Sequence, residues 1–393
     1  LGQVYERFLG KVIRLTAGHQ AKVEEKPEVR KAGGVYYTPT FIVDYIVINT
    51  LGKLLDPSPG PSPDPTPDPP SATLRDASRS PDGKHVRRGE TMTPRQAAGL
   101  KILDPACGSG TFLLSAYQYL LDWHLKWYME HEPGKWATGK NPTIYQATDG
   151  HRLTTSKKKE ILLNNIFGVD IDPQAVEVTK LSLLLKVLEG ESNETIGSQL
   201  ALFQERVLPD LGRNIQCGNS LIGPDYYEGH QLTMSFADEE ERYRVNAFNW
   251  KAEFAQVFIQ GGFDVVIGNP PWAFTKYVDW GEETKIYIQQ KYLSSRANEA
   301  QSRARQAGKI NLFAVFTLMA IGVLKQRGLF SFILPNNILR TTVYDIVRKQ
   351  LLENTKFTKI VDLKDGVFEG VTASTVILVL EASRPNKDNL IEI

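Results

Sequence analysis

From Leu100 onward, short apolar runs alternate with amphipathic segments of helical spacing. The runs are KILDP, IFGVD, NIQCG, FDVVIG, GLFSFIL, KIVDL and STVILVLE. They are rich in Val, Ile, Leu and Phe and are bounded by Gly, Pro, Asp or Asn, which predicts strands. Between them, apolar positions three and four residues apart predict helices near 111–130, 173–188, 310–326 and 340–353. Strands interleaved with helices in this way predict an α/β fold, a doubly wound and mostly parallel seven-stranded sheet of Rossmann-like type. Only KDGVFEGVTA separates the last two strands. That is too short for a crossover helix, so the last strand is expected to run antiparallel.

Upstream of this pattern, residues 1–17 show apolar positions at helical spacing, and 1–33 is read as an N-terminal helical segment. VYYTPTFIVDYIVINTLGKLL predicts a helix to about Leu55, with Pro39 in its first turn. Residues 57–70, PSPGPSPDPTPDPP, are dominated by proline, which favours extended, unpaired backbone. We read 56–93 as a disordered insert inside a single domain spanning 34–393, because the motifs on either side belong together. The chain begins at Leu1 inside a predicted helix, as a piece of a longer protein would.

Composition narrows the class. Charge is balanced, 46 Lys and Arg against 45 Asp and Glu, so overall charge announces no nucleic-acid partner. The two cysteines, Cys107 and Cys217, are far apart; this fits a reducing cytoplasm and argues against a zinc site or disulfide framework. No apolar run approaches the roughly 20 residues of a membrane span.

The chemistry concentrates at four strand ends. In LKILDPACGSGTFLL, Asp104 closes a strand, and Gly108 and Gly110 allow tight backbone approach before a helix. This is neither the GxGxxG dinucleotide fingerprint nor a P-loop. The next strand ends GVDID, where Asp170 is a carboxylate suited to a ribose diol and Asp172, before Pro173, suits a helix N-cap. The third ends CGNSLIG, where Asn219 is either a purine-reading amide or a polar turn. The fourth runs FDVVIG into Asn269, Pro270, Pro271 and Trp272. Two prolines end the strand, since neither donates to a ladder. The Asn269 side-chain oxygen and the Pro270 carbonyl are two acceptors for a planar amino group, and Trp272 offers a face for stacking. Hydrogen bonding both N–H groups frees the nitrogen lone pair for attack. No Pro-Cys dipeptide occurs, so attack on a pyrimidine ring by cysteine is not expected.

The ordered set VYYTP, DPACGSG, GVDID, CGNSLIG, GNPPW, NLFAVF and GLFSFILPNNIL resembles the amino-group DNA methyltransferases of gamma motif order, and most of all the methylase region of type IIG restriction-modification enzymes. The resemblance spans nearly the whole chain outside 56–93 and 220–248. It implies S-adenosylmethionine as methyl donor and double-stranded DNA as partner, with adenine N6 of a flipped base as acceptor. It implies that Thr38, Asp104, Ala106 and Gly108 hold the methionine end, Asp170 the ribose, and Ile171 and Asn219 the adenine. Tyr37, Pro39, Pro105, Gly110 and Ser220 complete the cofactor-binding set. Asn269, Pro270, Pro271 and Trp272 would hold the target base, and Phe368 matches a position that packs against it.

Two departures bear on function. The chain stops at Ile393, shortly after its last strand, where family members carry a target-recognition domain. A missing recognition domain or a specificity subunit is therefore expected. Residues 291–309 carry Lys291, Arg296, Arg303, Arg305 and Lys309, read as a solvated helix face with phosphate contact as the alternative. At this stage a protein glutamine amide remains a rival substrate, and a modification subunit inactive without its partner remains a rival role.

Overall fold

The computed structural model describes residues 11–15, 21–25, 38–57, 78–79, 85–86, 91–148, 150–191, 208–228, 236–273, 281–293, 311–368, 373–386 and 389–393. All seven expected strands form one sheet. They are β1 (Ile102–Asp104), β2 (Ile166–Asp170), β3 (Ile215–Cys217), β4 (Phe263–Gly268), β5 (Leu324–Pro335), β6 (Lys356–Lys364) and β7 (Thr375–Glu381). The order is β6-β7-β5-β4-β1-β2-β3. Strands β5, β4, β1, β2 and β3 are parallel. As expected, β7 runs antiparallel, wedged between β5 and β6.

Among the helices are α1 (Thr40–Val47, continued as a π-turn over Ile48–Gly52 and a last turn to Leu55), α2 (Thr111–Glu130), α3 (Thr155–Asn165), α4 (Pro173–Leu188), α5 (Glu282–Leu293), α6 (Leu312–Val323) and α7 (Asp345–Asn354). They cover both faces of the sheet. Side chains alternate across each strand, as the pleat requires. On β7, Val376, Leu378 and Leu380 enter the core under α5, α6 and α7, while Ile377 and Val379 enter the core under α1, α2, α3 and α4. The order of the sheet reverses between β1 and β4. A doubly wound sheet opens its crevice at such a point, beyond the carboxyl ends of the strands. The opposite, amino ends are closed by amides. Asn165 donates to the carbonyls of Ala97 and Leu100, and Asn214 to those of Leu163 and Ile166.

Two expectations differ from what is observed. The helical reading of 1–33 meets two strands, Lys11–Leu15 and Ala21–Glu25, paired antiparallel. β-Branched Val12, Ile13 and Val23, with Gly18 in the connecting sequence, favour a hairpin over a helix. The other residues of 1–37 lie outside the described set. Most of 56–93 lies outside it too. Within it, Ser78–Arg79 and His85–Val86 pair antiparallel, and Pro94–Ala97 is a helical turn closed by a Thr93–Gln96 capping box. Helix α3 was not expected. Its buried side includes Lys157 and Lys158, so it lacks apolar periodicity. The Lys158 ammonium is matched by Glu191 at 2.9 Å and by the Glu189 carbonyl at 3.0 Å. Among the described residues, no helix is long and apolar enough to cross a membrane.

Candidate active site

The loop after β1 is pinned by two carboxylates. Asp104 is buried, and its Oδ1 accepts the Ala106 N–H at 3.0 Å. Asp170 ends the neighbouring strand. Its Oδ2 accepts the Gly108 N–H at 2.8 Å, and its Oδ1 accepts the Asp172 N–H at 2.9 Å. Burial pushes the Asp104 carboxyl up to about 8, with the Asp170 charge adding to the shift and the Ala106 N–H opposing it. Burial also raises Asp170, against the N–H groups of Asp172 and Gly108. Gly110 starts α2 at φ +85°, where a Cβ would lie 2.9 Å from the Thr179 side chain. Thr179 in turn donates to the Gly108 carbonyl at 2.8 Å. This loop therefore needs its glycines for the turn and for the closeness of α4. Asp172 is the N-cap of α4, accepting the Gln174 N–H at 2.8 Å, as expected.

At the end of β3, Asn219 is 3% exposed, and its Oδ1 accepts the Leu221 N–H at 3.1 Å. That bond orients the amide, and Nδ2 is buried without a hydrogen-bond partner among the described residues. The polar turn expected of Asn219 is thus observed, and its amide nitrogen remains as a buried donor. Ser220 donates to the Pro105 carbonyl at 2.6 Å, tying the third loop to the first. Ile171 stands exposed beside Asp170.

β4 ends at Gly268, as the two prolines require. The Asp104 carboxylate packs against this glycine so closely that a Cβ would come within 2.7 Å of Oδ1. Gly268→Ala is accordingly expected to displace Asp104 and destabilise the protein by about 1–3 kcal/mol; an unchanged melting temperature would contradict the contact. Next in the chain, Asn269 donates from Nδ2 to the Thr38 hydroxyl at 3.1 Å. Thr38 is buried at the start of α1, which packs beside α2 with Ser115 donating to Asp44 at 2.8 Å. The helix opened by Pro39 thereby sets the hydroxyl that meets the amide. Pro270 is buried and Pro271 partly so. Trp272 packs against both cores, and Phe368 meets it edge to face at 5.0 Å and 88°. Asn311, the N-cap of α6, donates to the Trp272 carbonyl at 3.1 Å, and the Leu312 N–H donates to the Ala273 carbonyl at 2.8 Å.

The sheet thus gathers Thr38, Asp104, Pro105, Ala106, Gly108, Gly110, Asp170, Ile171, Asn219, Ser220, Asn269, Pro270, Pro271, Trp272 and Phe368 around one end. Tyr37 lies outside the described residues, as do Arg296, Arg303, Arg305 and Lys309. Lys291 is engaged by Asp225 at 3.1 Å and by the Tyr287 hydroxyl. Sequence reasoning missed Thr179, Asn246, Trp250 and Asn311. Only Asn311 had a signal, as the first residue of NLFAVF. Among the described residues, no cluster of His, Cys, Asp and Glu is placed to hold a metal ion.

Comparison with known proteins gives a consistent picture. The chain is 27% identical over 390 residues to the type II restriction enzyme and methyltransferase RM.Eco57I of Escherichia coli, covering 99% of this chain and 32% of that protein. It is 22% identical over 439 residues to the adenine-specific methyltransferase BrxX of Escherichia coli, covering 96% of this chain and 32% of that one. The chain thus spans about a third of the length of these curated relatives. Among solved structures, a nuclease-deletion mutant of the type ISP restriction-modification enzyme LlaGI, in complex with a DNA substrate mimic, shares the fold. Its TM-score is 0.50 at 15% identity, covering 91% of this chain and 24% of that one. The model of the Eco57I restriction-modification methylase family matches residues 164–368, just over half of the sequence, and the chain belongs to that family.

Proposed function

We propose that this chain is an adenine-N6 DNA methyltransferase domain, using S-adenosylmethionine to methylate a base flipped out of double-stranded DNA. It would serve as the modification part of a restriction-modification or phage-defence system. The observation that carries this reading is the corner at the end of β4. There an amide steadied by Thr38, two prolines and a Trp272–Phe368 ring pair stand beside the buried Asp104.

The residues present fit the cofactor. The buried Nδ2 of Asn219 is a donor suited to a ring nitrogen of the adenine. Each Asp170 oxygen, having accepted one N–H, keeps lone-pair capacity for a ribose hydroxyl. Thr38, Asp104, Ala106 and Gly108 would hold the methionine end, with Tyr37, Pro39, Pro105, Gly110 and Ser220 shaping the walls. When bound, the cofactor supplies a methyl group activated by its sulfonium. The remaining work falls to the chain's own groups. The Asn269 side-chain oxygen and the Pro270 carbonyl accept the two hydrogens of the target amine and draw its nitrogen toward a tetrahedral geometry. Trp272 stacks on the base, and Phe368 backs Trp272. Flipping costs a few kcal/mol of unstacking; stacking on an aromatic face returns about 1–3 kcal/mol.

Residues 34–393 would form this domain, with 56–93 as an insert, working in the cytoplasm where the DNA is. Sequence reading would come from the rest of a longer protein or from a specificity subunit. The test is modification-sensitive long-read sequencing of plasmid DNA from a methylation-free host expressing the chain alone and within its full-length protein. N6-methyladenine at one defined motif is expected. Unmodified adenine in both samples, with methyl groups appearing on protein instead, would overturn the reading in favour of a glutamine substrate.

A further inference from the structure

The loop at the end of β3 is held by residues outside every motif used so far. Residues 246–250 lie in the connection between β3 and β4. The Asn246 carbonyl accepts the Asn219 N–H at 2.7 Å, and the Phe248 N–H donates to the Ile222 carbonyl at 2.7 Å. The Trp250 indole N–H donates to the Ser220 carbonyl at 3.0 Å. The Asn246 amide lies 3.6 Å from the Cys217 sulfur. Phe248 closes on Gly218 so tightly that a Cβ there would lie 2.5 Å from its ring. Asn246 takes φ +47°, a conformation that asparagine and glycine tolerate and β-branched residues do not.

These contacts reach Asn219 itself and the residues on either side of it, from Cys217 to Ile222. The Asn219 Oδ1 is committed to the Leu221 N–H, and its Nδ2 is buried with no partner among the described residues. A buried donor left unmatched is costly, so the fold holds this amide for a group that brings an acceptor. We propose that Asn246 and Trp250 are positioning residues that aim the Asn219 amide at one ring nitrogen of the cofactor's adenine. This rests on the S-adenosylmethionine reading above. The clamp extends further, because Ser220 also donates to the Pro105 carbonyl. Trp250 therefore steadies the purine wall and the loop that carries Asp104 through a single residue.

The test is calorimetric binding of S-adenosylhomocysteine and its 1-deaza, 3-deaza and 7-deaza analogues, each of which replaces one ring acceptor with C–H. The wild-type protein is expected to bind one of the three roughly tenfold more weakly than the parent, the worth of a single hydrogen bond. Trp250→Phe keeps an aromatic ring, though a smaller one, and removes the donor; it is expected to weaken the parent roughly tenfold and to level that one deaza penalty. A purely structural role would weaken all four ligands alike and leave the penalty standing, which would overturn the proposal. A second pair guards against misfolding: Asn246→Gly, which suits the backbone, is expected to keep the penalty, and Asn246→Val to lose it. A wild-type protein that binds the parent but shows no deaza penalty also overturns the proposal. A wild-type protein that binds no S-adenosylhomocysteine at all instead refutes the cofactor reading.

Discussion

Asn269→Ala is expected to lower the rate of methyl transfer by on the order of 10²–10³, the usual cost of removing one preorganised polar contact to the reacting group. Cofactor affinity should stay within about twofold of wild type, because most of the proposed cofactor groups sit on the loops after β1, β2 and β3, while Asn269 follows β4 and meets that set at Thr38. The contrast between the two readouts is the informative part. Labelled-methyl transfer to DNA measures the first, and calorimetry with S-adenosylhomocysteine measures the second. Thr38→Val keeps the volume and removes the hydroxyl 3.1 Å from the Asn269 amide. Its expected cost is smaller, about tenfold, because the amide is then misdirected rather than missing. Transfer by Asn269→Ala at near wild-type rate would sink the assignment of the corner.

Much of this site was legible in the sequence, for identifiable reasons. Gly110 must adopt a left-handed backbone against Thr179, and the two prolines must stop β4, so residue type alone marks those positions. Asp104 and Asp170 close strands whose apolar runs were unambiguous. The antiparallel β7 followed from a connection too short for a helix. What escaped the sequence reading depends on distant pairing. Nothing in NAFNW says that its tryptophan will bond Ser220, thirty positions back in the chain. Helix α3 escaped because two lysines stand where apolar residues would mark its buried face; Lys157 pairs with Glu160 three positions on, but the match of Lys158 at Glu191 lies more than thirty positions on. The hairpin at 11–25 escaped because VIRL reads equally well at a period of two or of 3.6. Strand order was not legible at all. It is the order, however, that sets β4 beside β1 and so brings Asp104 against Gly268.

That contact leads to the second large effect, a proton linked to cofactor binding. The Asp104 carboxyl is raised to about 8 by burial, opposed by the Ala106 N–H and reinforced by Asp170. Cys107, which also lies close to both carboxylates, is held protonated by its own burial and by their charges. An unfolded aspartate titrates near 3.9. Between about 4 and 8 the native carboxyl keeps a proton that the unfolded chain has released, so this group's contribution to stability is fully present below that window and lost as pH rises through it. Asp104→Asn should flatten the decline and, with no cofactor added, make the protein more stable at pH 8, by at most a few kcal/mol. S-adenosylmethionine is cationic, and on the proposed reading its methionine end lies against Asp104. Binding would then favour the carboxylate and expel the proton. Wild-type affinity is expected to rise between pH 6 and 8 by up to about tenfold per unit. Calorimetry in buffers of different ionisation enthalpy should find close to one proton released near pH 6.5 and none well above 8. Asp170 remains in Asp104→Asn, so the proton that this variant fails to release belongs to Asp104. The same variant should bind the cofactor roughly 10- to 100-fold more weakly, the worth of a hydrogen bond to a charged group. A wild-type affinity flat from pH 6 to 8, with no proton release, would remove Asp104 from the methionine end of the site and leave it as a strut beneath Gly268.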